Sequence, residues 1–405
     1  MAVVRPFKAI RPVRDKVHLV VSRSYISYEP AALSQKLDSN PYSFIHIINP
    51  DHGQMVKSPA NSPELFKRIK GKFEEFIDQG VFIKDEQAAF YLYEQANEDI
   101  TFRGIVCATS AKDYESGVIK RHEHTIAARE EIFKQYLDVC DINAEPVLLT
   151  YQDEDKVTEI QDRVGQRDPV YDFSTTDRTR HRVWKIEEQA EINELTAAFG
   201  DIESLYIADG HHRSASSSRL AKDYADAPAD DPHHFFMSYL IPQSQLRVLE
   251  FNRLVTDLNG LEISDFLGQL QRSFIIEQCE KAQAKPRCKG EMALYVDGCW
   301  YGMKLKESYA GLDTQLCTDV ILEPILGLSD LRTDKRVGFI GGQEGLDGIE
   351  RKVNRGKYVL GLALFPVSIT ELKQVADNNE VMPPKSTWIE PKLRSGLTVY
   401  SLSSS

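Results

Sequence analysis

The sequence predicts an α/β fold with mixed sheets, and three observations carry that prediction. Short runs rich in aromatic and β-branched residues, such as Phe90-Tyr91-Leu92-Tyr93-Glu94 and Phe102 to Ala108, read as strands. Segments with apolar residues at helical spacing lie between them. The clearest is Pro63 to Gln79, with Leu65, Phe66, Ile69, Phe73, Phe76 and Ile77 on one face. The third observation is the stretch Leu205-Tyr206-Ile207-Ala208-Asp209-Gly210-His211-His212-Arg213, where an apolar strand meets a glycine and then a helix opening at Ser214 to Ala221.

In chain order, Lys16 to Val21 and Ser43 to Ile48 read as strands, followed by the 63–79 helix and the two aromatic strands. His122 to Cys140 keeps helical spacing through Ile126, Phe133 and Leu137. Glu145 to Tyr151 is a strand. Val170 to Phe173 and Arg182 to Ile186 flank a polar turn and predict a hairpin. Glu187 to Phe199 is a helix leading into the Asp209 loop. Phe235 to Ile241 and Leu246 to Val255 are expected to pair. Asp297-Gly298 between Glu291–Val296 and Cys299–Leu305 is a strong hairpin signal. Leu397 to Tyr400 closes the chain as a strand. Three regions are expected: 1–115, 116–258 and 259–405.

Composition sets bounds. With 405 residues, 42% apolar and 27% charged, the chain can bury a sizeable core. A net charge of −12 argues against general affinity for nucleic acid or an anionic membrane. Six cysteines without a CxxC pair predict buried free thiols in a reducing compartment. The longest apolar run, Tyr358 to Phe365, is too short to span a bilayer. The N-terminus lacks a signal-peptide core, so the expected location is cytoplasmic.

The Asp209 loop is the leading candidate site. A strand, a tight turn and a helix N-terminus present unpaired N–H groups and a dipole that favours anions. Gly210, His211, His212, Arg213 and Ser214 would hold phosphate, and Asp209 supplies a carboxylate. A second cluster, Arg121-His122-Glu123-His124-Thr125, repeats the pattern of basic groups plus one carboxylate at a helix start. The two are expected to converge on one polyanionic ligand, within about 10 Å of each other. Protein ligands alone are not expected to hold a metal; magnesium carried by a nucleotide would need only Asp209 or Glu123. Gly338 to Gly345 fits neither glycine-rich phosphate motif and reads as a turn. In the C-terminal segment, Lys385, Lys392 or Arg394 is a candidate phosphate contact.

These motifs together resemble the DUF1015 family. The matching pieces are Arg5-Pro6-Phe7, Asn40-Pro41 with Phe44-Ile45-His46, Arg121 to Thr125, His181 to Trp184, Ile207 to Arg213, and Pro383 to Trp388 continuing to Gly396-Leu397. The Asp-Gly-His-His-Arg loop is also similar to the signature of the ParB/sulfiredoxin-like superfamily, which includes free-serine kinases. That likeness implies a ParB/sulfiredoxin-like nucleotide-binding core over 116–258 with additional α/β regions on either side. It also implies a phosphotransferase using ATP or ADP with magnesium on a small hydroxyl metabolite, free L-serine first. Asp209 or Glu123 would orient the hydroxyl and accept its proton. The alternatives are a non-catalytic nucleotide-binding regulator and a metal-dependent hydrolase using the histidine clusters. The expected partners are a small substrate and a nucleotide.

Overall fold

The aromatic runs make the strands they predict, and the computed structural model, which describes residues 1–403 apart from the Ile26 side chain, is an α/β fold with mixed and antiparallel sheets. Nine strands build the first sheet: β1 (Val4–Arg5), β2 (Phe90–Ala96), β3 (Thr101–Ser110), β4 (Ile119–Lys120), β5 (Val147–Tyr151), β6 (Tyr171–Ser174), β7 (Arg180–Ile186), β8 (Leu205–Asp209) and β9 (Phe235–Pro242). Their order is β4-β8-β5-β9-β3-β2-β7-β6, with β1 added along β3. The β4–β8 and β5–β9 pairs are parallel, and the others are antiparallel. The β6–β7 pair is the expected hairpin.

Two cores support this unit. Leu92, Ile105, Leu149, Ile207 and Leu240 of the sheet pack with Val157, Ile160, Leu195 and Phe199 of the helices Asp155–Gly165 and Gln189–Gly200. The predicted helix Pro63–Asp78 lays Phe66, Ile69, Phe73 and Phe76 into a second cluster with Phe82 and Cys140. Ser62 caps it by accepting from the Leu65 N–H. Each of those buried aromatics contributes roughly 1.5–3 kcal/mol of transfer free energy.

Contacts divide the chain into two units where three regions were expected: 1–246 with 391–405, and 247–390. The boundary expected near 115 falls between β3 and β4, two strands of one sheet, so 1–115 is not a separate region. The last segment also returns to the first unit. Tyr400–Ser401 pairs with Ile142–Asn143, and Val399 bridges Ile10.

In the second unit, Arg247–Val255 is flanked by Val337–Gly341, Leu360–Leu364 and Thr387–Glu390, and the sheet continues through Glu291–Val296 and Cys299–Leu305 to Phe274–Cys279. Every pairing is antiparallel. The Asp297-Gly298 turn has both residues at positive φ, 49° and 74°, as its hairpin requires. Phe235–Pro242 and Arg247–Val255 do not pair as expected. The turn Gln243–Gln245 separates them, and each enters its own unit's sheet. Val17–Val20 and Ile45–Ile48 are single helical turns rather than strands; Val17 and Val20 are buried one turn apart, and packing overrides their β propensity. All six cysteines are free; Cys107, Cys140 and Cys317 are buried as expected, but Cys288 is exposed.

Candidate functional site

The site is built at one end of a parallel strand pair. β4 lies beside β8 in parallel, with Leu205 opposite Ile119 and Tyr206 opposite Lys120. The residues that follow both strands therefore leave the sheet at the same end, where open α/β sheets bind ligands. Arg121–Thr125 follows β4, and Gly210–Arg213 follows β8. Each then opens a helix, Ala127–Cys140 and His211–Asp223 respectively. These two helices pack together, and Arg219 bonds Glu130 at 2.9 Å between them. The convergence expected from the sequence is present: Glu123 Oε2 lies 3.5 Å from His211 Nδ1.

Local sequence explains the turn. A register shift between Ile207 and Asp209 interrupts the β8 ladder just before the turn. Gly210 has φ 104°, a left-handed conformation open to glycine, and starts the helix without an intervening loop. A Cβ there would sit 2.9 Å from Arg213 Nε. No side chain caps this helix, so its first N–H groups keep their capacity for an anion.

Asp209 does not stand ready for magnesium. Its Oδ2 accepts from Arg213 at 2.9 Å, and Lys392 Nζ lies 3.4 Å from Oδ1. Burial opposes ionisation, but the charges of Lys392 and Arg213 outweigh it and hold the carboxyl below the usual range. The other Arg213 nitrogen, Nη1, donates to Pro146 O at 2.9 Å and approaches Glu145 Oε2 at 3.5 Å. The ligand atoms of His122, Glu123 and His211 lie within 4.8 Å of one another.

His122 is fully buried, and neither ring nitrogen has a hydrogen-bond partner. Its ring stands edge-on to His211 with centroids 4.5 Å apart. Burial, with the neighbouring His211, lowers its pKa to about 3. Burial also lowers that of His211 to about 4, against the charge of Asp209. Both values lie below pH 7, so the two rings offer lone pairs there rather than positive charge. His212 is half-buried, and its Nδ1 is also unpartnered.

The remaining candidates divide. Ser214 is buried, and its hydroxyl donates to Gly210 O at 3.2 Å, so it is not directed at a phosphate. Arg121 is exposed and donates to the Tyr114 hydroxyl at 3.1 Å. His124 is exposed, and Thr125 donates to Glu130. Lys385 belongs to the second unit, where it lies over the Phe251 ring in a groove of about 370 Å³ with Phe339 and Trp388. Of the three C-terminal cations, Lys392 is the one beside Asp209. Arg394 pairs with Asp177 at 2.5 Å. Glu145 was not anticipated. It precedes β5, whose start lies beside the end of β8 because those strands are antiparallel, and only the topology reveals that. Ser395 donates to it at 2.6 Å.

Among the described residues, no helix is long and apolar enough to cross a membrane. No curated protein matches the chain. Among solved structures, a free serine kinase in complex with AMP is 13% identical and covers 73% of this chain and 91% of that one, at a TM-score of 0.37. A C-terminally truncated SbnI from Staphylococcus aureus is 12% identical over 72% of this chain and 85% of that one, at a TM-score of 0.40. A conserved hypothetical protein from Pyrococcus furiosus is 14% identical over 73% and 95%, at 0.36. A family model described as a protein of unknown function, DUF1015, matches residues 4–322, more than half of the sequence, and the chain belongs to that family.

Proposed function

We propose that this protein is a nucleotide-dependent phosphotransferase acting on a small hydroxyl-bearing metabolite. One observation carries the reading. Two segments that each open a helix meet at one end of a parallel strand pair, with Glu123 3.5 Å from His211 and an uncapped helix start between Gly210 and Arg213. Phosphoryl transfer depends on positioning and charge neutralisation more than on covalent help. The helix start and His212 would hold phosphate oxygens, with the cations Lys392 and Arg213 beside them. Asp209 keeps those two cations in place and acts as a positioning residue. Glu123, partly exposed, is the carboxylate that would orient the acceptor hydroxyl and take its proton.

The donors fit a nucleotide that arrives with its own magnesium. Glu123 offers one carboxylate oxygen, and magnesium commonly combines one or two carboxylates with phosphate oxygens and water. Bound in that way, magnesium would neutralise charge on the transferred group. The likeness of the Asp-Gly-His-His-Arg loop to that of the ParB/sulfiredoxin-like superfamily makes free L-serine the first acceptor to test, with ATP and ADP as donors.

The test incubates the purified chain with ATP or ADP, magnesium and a panel of hydroxyl-bearing amino acids and metabolites. A phosphorylated product by mass spectrometry, lost in Glu123→Gln, is expected. Nucleotide binding by calorimetry with no product and no nucleotide turnover would overturn transfer in favour of a non-catalytic binding protein.

A further inference from the structure

We infer that His122, Glu123 and His211 form a binding site for a first-row transition-metal ion such as zinc or cobalt(II). The reason begins with the cost of leaving His122 as it is. A fully buried imidazole with both nitrogens unpartnered is rare, because each lost hydrogen bond in the interior is unfavourable. A ring with a free lone pair beside a second imidazole and a carboxylate is a ligand set in need of an ion.

The geometry suits that reading. Bonds of about 2.0–2.1 Å in a tetrahedral site put neighbouring ligand atoms roughly 3.3 Å apart. Glu123 Oε2 and His211 Nδ1 are already 3.5 Å apart, and the whole set lies within 4.8 Å. Closing it asks for a shift of about 1.5 Å at most by those bond lengths. The contact from the His122 amide to His211 Nε2, at 3.5 Å, is at the outer limit of hydrogen bonding and is readily given up. Arg121, the adjacent cation in sequence, donates to the Tyr114 hydroxyl.

The donor types select the ion. Two imidazoles and one carboxylate suit zinc, cobalt, iron or nickel, whereas magnesium prefers oxygen alone. Three protein ligands leave an open position, as catalytic sites do and closed structural sites do not. The site shares Glu123 with the proposed phosphotransfer reading, but the ion is measured with no nucleotide present. Either reading can fail while the other holds.

The test uses the full chain without a histidine tag, stripped with a chelator and titrated with cobalt(II) and then zinc. One equivalent of cobalt(II) with visible ligand-field absorption, displaced by zinc and not by millimolar magnesium, is expected. Glu123→Gln and His122→Gln should each weaken binding at least about tenfold, in line with the loss of a direct ligand. If His122→Gln does not fold, the partly exposed Glu123 decides the question alone. Less than about a tenth of an equivalent bound, displacement by magnesium, or unchanged affinity in a folded Glu123→Gln variant would each overturn the site.

Discussion

Two junctions in this molecule share a chain pattern and differ in charge. β8 runs through Gly210 into the helix His211–Asp223; in the second unit Val337–Gly341 runs through Gly342–Glu344 into the helix Gly345–Asn354. The first helix start carries histidines and an arginine. The second is preceded by Glu344, held by Arg351 at 2.5 Å and Lys352 at 2.9 Å. Neither helix start has a side-chain cap, but the carboxylate of Glu344 puts negative charge near the second where the first carries basic groups. A strand, a glycine and a helix are therefore insufficient for an anion site. What distinguishes the two junctions is the charge of the residues at the helix start. Every histidine of the chain also lies at or before position 234, so the second unit has none.

The strongest way to break this contrast is at the carboxylate. Glu123→Gln should reduce turnover by about 10²-fold or more while nucleotide binding holds within a few-fold, measured by steady-state kinetics and calorimetry. Turnover near wild type would remove Glu123 from the chemistry. Next, Arg213→Ala should weaken nucleotide binding by roughly 1.5–3 kcal/mol, because a charged hydrogen-bonding group beside the helix start is lost. Unchanged affinity would mean that Arg213 serves the fold alone.

Two buried groups, one in each unit, should respond to acid with opposite signs. His181 is buried between the Tyr93 hydroxyl at 2.9 Å and Thr175 at 3.2 Å, and burial, with the charge of Arg394, lowers its pKa to about 3. Its folded value lies below the ordinary 6.5, so its contribution is present above 6.5 and is lost as pH falls towards 3. The slope reaches about 1.4 kcal/mol per pH unit at most. Asp313 behaves inversely. Burial raises its pKa to about 6, although it accepts the Gly290 N–H at 3.0 Å. Its contribution is full below 3.8 and is lost as pH rises through 6. Hydrogen exchange corrected for intrinsic rates, on His181→Gln and Asp313→Asn, should show the pH slope flattened only in the unit that carries each change. A slope unaltered by either substitution would contradict these assignments.

Smaller effects complete the comparison. Gly210→Ala should cost about 1–2 kcal/mol of stability from the positive φ alone, read by urea denaturation, and a neutral result would mean that the turn relaxes. Glu344→Gln should leave nucleotide affinity unchanged and stability within about 0.5 kcal/mol, as a partly exposed position. A nucleotide effect there would show that the second junction also takes part.

Local chemistry was legible in the sequence where it is self-contained. The Asp297-Gly298 hairpin, the 63–78 helix and the strand-glycine-helix at Asp209 are each specified by neighbours within a few residues. The approach of Arg121–Thr125 to the Asp209 loop could be anticipated because both clusters open helices. The state of the side chains could not. Asp209 reads as a free carboxylate until Lys392 is brought to it from 183 positions away. The histidines could carry charge or offer lone pairs, and burial decides between the two. Lys385 and Lys392 stand seven positions apart and look equivalent, yet they belong to different units. The short apolar runs at 17–20 and 45–48 carry too few residues to separate one helical turn from a strand.

The first unit is interrupted by the whole of residues 247–390 and resumes at Pro391. During synthesis at about 5–20 residues per second, the ribosome needs roughly seven to thirty seconds to pass that stretch. Throughout that interval Asp209 lacks Lys392, and Ile142–Asn143 lacks its strand partner Tyr400–Ser401. A nascent chain halted anywhere within it carries the complete Asp-Gly-His-His-Arg loop without the cation that completes its charge, so the site matures only as the last stretch emerges.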